Sequence, residues 1–308
     1  MDLESAKPIE IPDKSLFDKY FQEFPPEISE LTFTNLFIWR NYYDYFFMEL
    51  NDHLLIFSKD YLKKHKKSIS KNQETLFFLL PVGPHPTQTI ISLFDSIKNI
   101  EFHRIPEIII EELEGDEKVS ALNIKWVEDR DNWDYVYERE KLISLSGRKL
   151  YQKRKWLKLF LANNNYKFEL CSKDRIDDCK QVQIKWCDIN ECMKHPDLEE
   201  EDKAIKTARK YYDELIFKAG ILYIDEKAIA YTMGEKLNPD TAVIHIEKAL
   251  AEYKGSYQAI NNFFLKKCCE DVKFVNREQD LGDPGLRQAK SSYNPHHMVK
   301  KSIIYREA

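Results

Sequence analysis

The stretch TAVIHIEKALAEYKGSYQAINNFFLKKCCEDVKFVN (Thr241–Asn276) decides the fold. Its opening residues alternate apolar and polar positions, as a half-buried strand does. A short turn around Lys254–Gly255 then opens a helix predicted over Tyr257–Cys269, and another strand follows at Val272–Asn276. A strand that turns directly into a helix presents that helix's N-terminus at the strand end, where free backbone N–H groups and the helix dipole favour an anion.

Working outward, the periodicity predicts helices over Arg148–Asn163, Arg175–Asp188 and Asp202–Ala219, the last stopped by Gly220. Strands are expected at Tyr166–Leu170, at Ile221–Ile224 paired with Ala228–Gly234, and near Val299–Tyr305, with a helix from Pro284 to about Ser291. The first half reads as mixed helix and strand. It has a helix over Thr32–Tyr43, a hairpin of Asp44–Leu50 with Leu54–Ser58, a strand at Thr75–Leu80 and a helix over Thr87–Lys98. With 308 residues the chain has room for two domains, expected at 1–135 and 136–308.

Hydrophobic residues make up 43% of the chain and aromatic residues 13%, enough for a core in each half, so disorder is not the default reading. No apolar run approaches the length of a membrane span and the first residues lack an apolar signal core, so a cytoplasmic protein without integral membrane contact is expected. The net charge of −5 argues against coating nucleic acid by overall attraction. Two segments are basic all the same: seven Lys or Arg and no acid over Gly147–Phe168, and five against one Glu from Gly285 onward. Local basic patches on an acidic body suit a confined anionic ligand.

The six cysteines, at 171, 179, 187, 192, 268 and 269, form no CxxC pair and read as reduced, mostly buried thiols. A zinc site from Cys187, Cys192 and His195 has the wrong spacing for a standard knuckle, so no metal is expected.

Three constellations carry chemistry. In the turn, Gly255 permits a close backbone approach and Lys254 adds a cation; the plain alternative is a glycine in a strand-to-helix turn. In VNREQDLGDPGLRQAK (Val275–Lys290), Asn276, Arg277, Glu278 and Asp280 crowd the end of a strand, and Arg287 and Lys290 share a helix face. Carboxylates beside cations suit a general base, and Glu278, Asp280 and Glu247 are the candidates; the alternative is a solvated turn with ion pairs. His245, on the same strand face as Glu247, reads as a sheet histidine able to orient a nucleophile. On the helix after Ser144, Arg154 falls within the apolar stripe of Leu150, Leu157 and Leu161, and Lys153 lies beside it. An inward cation there needs an ion pair or an anionic ligand.

At YVYEREKLISLSGRKLYQKRKWLKLF, EKALAEYKGSYQAINNFF and NREQDLGDPGLRQAKSSYNP, and more weakly at TFTNLFIWR, the chain resembles the family of the C-terminal catalytic domain of phosphatidylglycerol lysyltransferase. The resemblance covers nearly the whole chain. It implies an α+β fold, a tandem of two GNAT-like domains with mixed central sheets flanked by helices, related to the Fem-type aminoacyl transferases. It also implies an acyltransferase that moves an aminoacyl group from aminoacyl-tRNA to an amine or lipid hydroxyl. The bound partner is then the acceptor end of the aminoacyl-tRNA or another small anionic ligand, with peripheral lipid contact left open. Acyl-CoA stays as an alternative donor, although Glu252 and Tyr257 stand where a GNAT pyrophosphate loop has Gln or Arg and a small residue. A non-catalytic GNAT-like binding protein is the third alternative.

Overall fold

The computed structural model describes residues 3–70, 72 and 74–307. The chain divides into two compact units, 1–134 with 299–308, and 135–298.

The first unit begins with β1 (Lys7–Pro8), α1 (Lys14–Glu23), α2 (Phe33–Tyr43), β2 (Tyr45–Leu50) and β3 (His53–Ser58). It continues through α3 (Tyr61–His65), β4 (Leu76–Phe78), α4 (Pro86–Ser96), β5 (Ile100–Pro106), α5 (Glu107–Leu113), α6 (Glu117–Ala121) and β6 (Ile124–Glu128). Helix α2 starts where the Thr32 hydroxyl accepts from the Asn35 N–H, and it ends on Asp44 in the left-handed conformation. Helix α4 has Pro86 in its first turn, where no N–H is needed.

The second unit holds β7 (Asp134–Glu138), α7 (Arg139–Ser144), α8 (Tyr151–Asn163), β8 (Tyr166–Leu170), α9 (Asp178–Ile189), α10 (Pro196–Lys210) and α11 (Tyr212–Leu215). Then come β9 (Lys218–Ile224), β10 (Lys227–Asn238), β11 (Thr241–Ala249), α12 (Ser256–Cys268), β12 (Phe274–Asn276), α13 (Pro284–Ser291) and β13 (His297–Val299). The chain finishes as β14 (Lys301–Arg306).

The two sheets repeat one plan. Strand order is β1-β2-β3-β4-β5-β14-β6 in the first and β8-β9-β10-β11-β12-β7-β13 in the second. In each, the fourth and fifth strands are parallel, and a helix, α4 or α12, lies between them in sequence. The sixth place is filled in each case from outside the unit's main run. β14 arrives from the end of the chain to pair with β5 and β6, and β7 precedes every other strand of its sheet. The last strand, expected in a domain over 136–308, therefore sits in the first sheet.

Each unit has its own core. Leu55, Phe57, Phe78 and Phe102 pack with Ile90 and Phe94 of α4 in the first. In the second, Leu157 and Phe160 of α8 pack with Leu222, Ile244, Ile260 and Phe264. Gly220 does not stop a helix, as expected from the sequence, but lies within β9. A Cβ there would fall 2.7 Å from the Phe168 ring and 3.2 Å from Phe264, so the glycine serves packing, and the preceding helix ends at Ile216 with positive φ.

Candidate active site

β11 and β12 are hydrogen-bonded only at Thr241↔Phe274, Ala242↔Val275 and Val243↔Asn276. β12 then ends, whereas β11 continues to Ala249, and the two strands part. Against β10, the register jumps from Gly234↔Ile244 to Met233↔Ile246, so two residues of β11 face one and His245 is bulged. Ala242 and Ile244 before the bulge, and Ala249 after it, all belong to the core with α12. The extra residue thus shifts the alternation and puts Glu247 on the α12 side of the sheet, at the splay.

There the Glu247 carboxylate accepts from Arg277 Nη2 at 2.7 Å and from Asn261 Nδ2, on α12, at 2.8 Å. The Arg277 guanidinium lies 5.0 Å from the centre of the Tyr293 ring and 5.8 Å from that of Tyr137. On α8, Lys153 Nζ lies 4.6 Å from the same Tyr293 ring and 5.5 Å from Trp156, and Lys254 Nζ is 5.6 Å from Trp156. Gln258 Nε2 donates to the Tyr293 hydroxyl at 2.8 Å and fixes that ring. Burial alone would lower the Arg277 pKa, but Glu247, Tyr137 and Tyr293 outweigh it and keep the guanidinium charged. Lys153 is shifted downward, first by partial burial and then by repulsion from Arg277.

Other expected site residues have structural tasks. Asp280 is fully buried and accepts from Tyr135 Oη at 2.7 Å, Gly282 N at 3.0 Å, and Arg287 Nε and Nη2 at 3.0 and 2.8 Å. A carboxylate so occupied is an anchor for the 280–287 turn, and Arg287 is its counter-ion. Lys290 donates to the carbonyls of Arg277 and Gln279. Buried Asn276 accepts from the Glu278 N–H through Oδ1. Arg154 donates to the carbonyls of Leu145 and Gly147, capping the end of α7 rather than lining the splay. A Cβ on Gly255 would meet the Trp156 carbonyl oxygen at 2.4 Å, so this glycine allows the close approach of α12 to α8.

His245 is the centre of a clamp. Its Nδ1 is 2.7 Å from Glu278 Oε1 and its Nε2 2.8 Å from Glu235 Oε1. Carboxylates only accept, so both ring nitrogens must donate and the ring is an imidazolium. Burial opposes that charge, but the two carboxylates raise the pKa from 6.5 to about 10. Glu278 is thus engaged with His245 rather than facing Glu247.

Sequence reasoning missed Trp156, Gln258, Asn261, Tyr137 and Tyr293 as cleft residues. Trp156 follows Lys153 by three on a helix, which was the available signal for a shared face. Cys187 and Cys192, expected as free thiols, are joined as a disulfide, and among the described residues no group of His, Cys, Asp or Glu is arranged to hold a metal ion. A recess of about 800 Å³ lies elsewhere, beside α9 and α10. Several of its charges are already paired, Arg209 with Asp177 and Lys206 with Asp202, so the splay carries the stronger chemistry.

Two sheets of one plan, each with a parallel pair flanking a helix, define a tandem of GNAT-like domains. The family described as phosphatidylglycerol lysyltransferase, C-terminal, matches residues 21–305, and the chain belongs to that family. An uncharacterised protein of Mycoplasmoides gallisepticum is 22% identical over 196 residues, which cover 60% of this chain and 63% of that relative's length. A crystal structure of a conserved protein of unknown function from Bacteroides thetaiotaomicron superposes with a TM-score of 0.86 at 27% identity, covering 98% of this chain and 99% of that one. The C-terminal domain of a putative lysylphosphatidylglycerol synthetase from Agrobacterium fabrum gives 0.65 at 12% identity, with 96% and 92% covered. FemX gives 0.60 at 8%, with 98% and 97% covered. The last two share the fold. No helix among the described residues is long and apolar enough to cross a membrane.

Proposed function

We propose that the chain is an aminoacyltransferase that moves an aminoacyl group from an aminoacyl-tRNA to an amine or lipid hydroxyl, with the β11–β12 splay as its reaction centre. The observation that carries this reading is the Glu247 carboxylate held in the splay by Arg277 and Asn261, with Lys153 on the same Tyr293 ring as Arg277.

An aminoacyl ester is already activated, so catalysis needs positioning and charge stabilisation more than a covalent enzyme intermediate. The acceptor nitrogen or oxygen bonds to the ester carbonyl carbon, the ester C–O bond breaks, and the acceptor's proton passes to the leaving ribose oxygen. Glu247 orients the acceptor and relays that proton, and Arg277 and Lys153 offset the charge that develops on oxygen. Tyr257, in the first turn of α12 with its hydroxyl tied by a 2.9 Å bond from Trp186 Nε1, is a large residue at a position where the coenzyme A pyrophosphate loop of GNAT enzymes has a small one, which favours the tRNA donor.

The test is transfer of radiolabelled aminoacyl groups, from tRNA charged with each amino acid in turn, to phosphatidylglycerol vesicles or to soluble amines. Label should appear in one acceptor class, and Glu247→Gln should slow its appearance by about a hundredfold or more, the usual weight of a positioned acid–base group. No transfer from any charged tRNA refutes the reading.

A further inference from the structure

The charges around the splay do not balance. Lys153 and Arg277 flank one ring, Tyr293, at 4.6 and 5.0 Å, and Lys254 adds a third cation against Trp156. The carboxylate in contact with Arg277 is Glu247, and both its oxygens are engaged, one by Arg277 and one by Asn261. Among the described residues Lys153 makes no ion pair. Arg277 Nη1 and Trp156 Nε1 are buried donors with no acceptor in the protein.

Buried donors left unmatched and a partly desolvated cation beside another cation are each costly, and one negative group with several acceptor oxygens relieves them together. A cationic side chain in the same place would meet Lys153 and Arg277 as like charges, while the nearby Glu247 carboxylate already has both oxygens engaged.

We infer that the cluster of Lys153, Trp156, Arg277 and Tyr293 is a subsite for a single oxyanion, a phosphate or carboxylate, on the substrate. It therefore does not hold a cationic aminoacyl side chain such as lysyl. This deepens the transferase reading and rests on it for the place of the anion in a reaction, not for the binding itself. The aromatic walls suit a nucleotide phosphate with its base stacked beside it, and equally a short acidic side chain; both present the same oxyanion chemistry.

The test is calorimetric titration of the full chain, at low salt, with adenosine 5′-monophosphate, with N-acetylaspartate and with lysinamide. At least one of the two anions should bind. Lys153→Met should weaken that binding about ten- to a hundredfold, as loss of one charge-assisted contact does, and Lys153→Arg should restore most of it. Because Lys153 is half-exposed and in no ion pair, the Met variant should melt with the wild type. Binding of the nucleotide alone assigns the anion to the donor's phosphates, and binding of N-acetylaspartate alone assigns it to the transferred or accepting group. The inference is overturned if neither anion binds, if the affinity ignores Lys153→Met, or if lysinamide binds and Lys153→Met strengthens it. Anion binding through Lys153 without any aminoacyl transfer would instead sink the transferase reading and leave the subsite standing, and aminoacyl transfer by a chain that binds neither anion would do the reverse.

Discussion

Raising the pH from 7 to 10 should loosen the second unit through one group, His245. In the fold its two nitrogens are bound at 2.7 and 2.8 Å by Glu278 and Glu235, its side chain is 3% exposed, and its pKa stands at about 10 against 6.5 for a free imidazole. A pKa raised by folding means that the folded state holds the proton more tightly than the unfolded chain. The stabilisation is complete below pH 6.5 and is lost as pH climbs through the folded value. At about 1.4 kcal/mol per unit, the window from pH 7 to 10 removes on the order of 3 kcal/mol.

The assay is unfolding of wild type and His245→Gln in urea at several pH values, read by hydrogen exchange of β11 peptides so that only this unit is followed. Titration of other groups cancels in the difference between the two proteins. At pH 7 the variant should be the weaker by about 3 kcal/mol, and the gap should close steadily toward pH 10. A gap that does not change with pH would refute the imidazolium clamp. The consequence reaches the site, because Glu278 adjoins Arg277 and the clamp fixes where β12 ends.

Three further outcomes follow from the packing. Asp280→Asn should cost about 3 kcal/mol in denaturant melts because it leaves the Arg287 guanidinium without its carboxylate, whereas a catalytic-base role would abolish activity and spare stability. Lys301→Met should cost about 3–5 kcal/mol in the first unit's unfolding, since fully buried Lys301 bridges Glu30 at 2.6 Å and Asp134 at 2.7 Å and the change removes the cation shared by two buried carboxylates, leaving Glu30 to Arg104 and Asp134 to the Ser29 donors. Gly255→Ala should lower the melting temperature of the second unit, because the new methyl group collides with the Trp156 carbonyl and the residue needs φ +94°. Unchanged melting would mean that the glycine is there for a ligand instead.

The second unit was legible where one face of an element is apolar and the other wet. The alternation of AVIHIE and the turn at Gly255 placed β11 and α12 correctly. Other elements hid for physical reasons. β5 is buried along its whole length, yet it contains Glu101, His103 and Arg104: His103 pairs with Glu101 on the same strand, Glu101 also accepts from Ser68 and Ser70, and Arg104 is held by Glu30 and Asp129, so it has no strand-like period to read. β14 was seen as a strand, but nothing local says which sheet it joins. The bulge at His245 is likewise invisible to a rule of strict alternation, which put His245 and Glu247 on one face without revealing their separate partners.

The candidate site shows why counting charges differs from locating chemistry. The run from Asn276 to Asp280 drew attention for its density of polar groups, and the structure distributes them. Asn276 holds the Glu278 N–H, Glu278 grips His245, Asp280 binds Arg287, and Lys290 closes over the carbonyls of residues 277 and 279. These contacts fix the backbone on both sides of Arg277, whose φ-positive neighbour Glu278 could not otherwise hold its conformation without cost. The segment is thus a scaffold that delivers one guanidinium to the splay, against Glu247 and beside Tyr293. A preorganised charge of this kind is worth most where the surrounding groups cannot relax away from it. Of the three candidate carboxylates, Glu278 and Asp280 are bound into this frame, and Glu247, on the opposite strand, is the one in contact with the guanidinium it delivers.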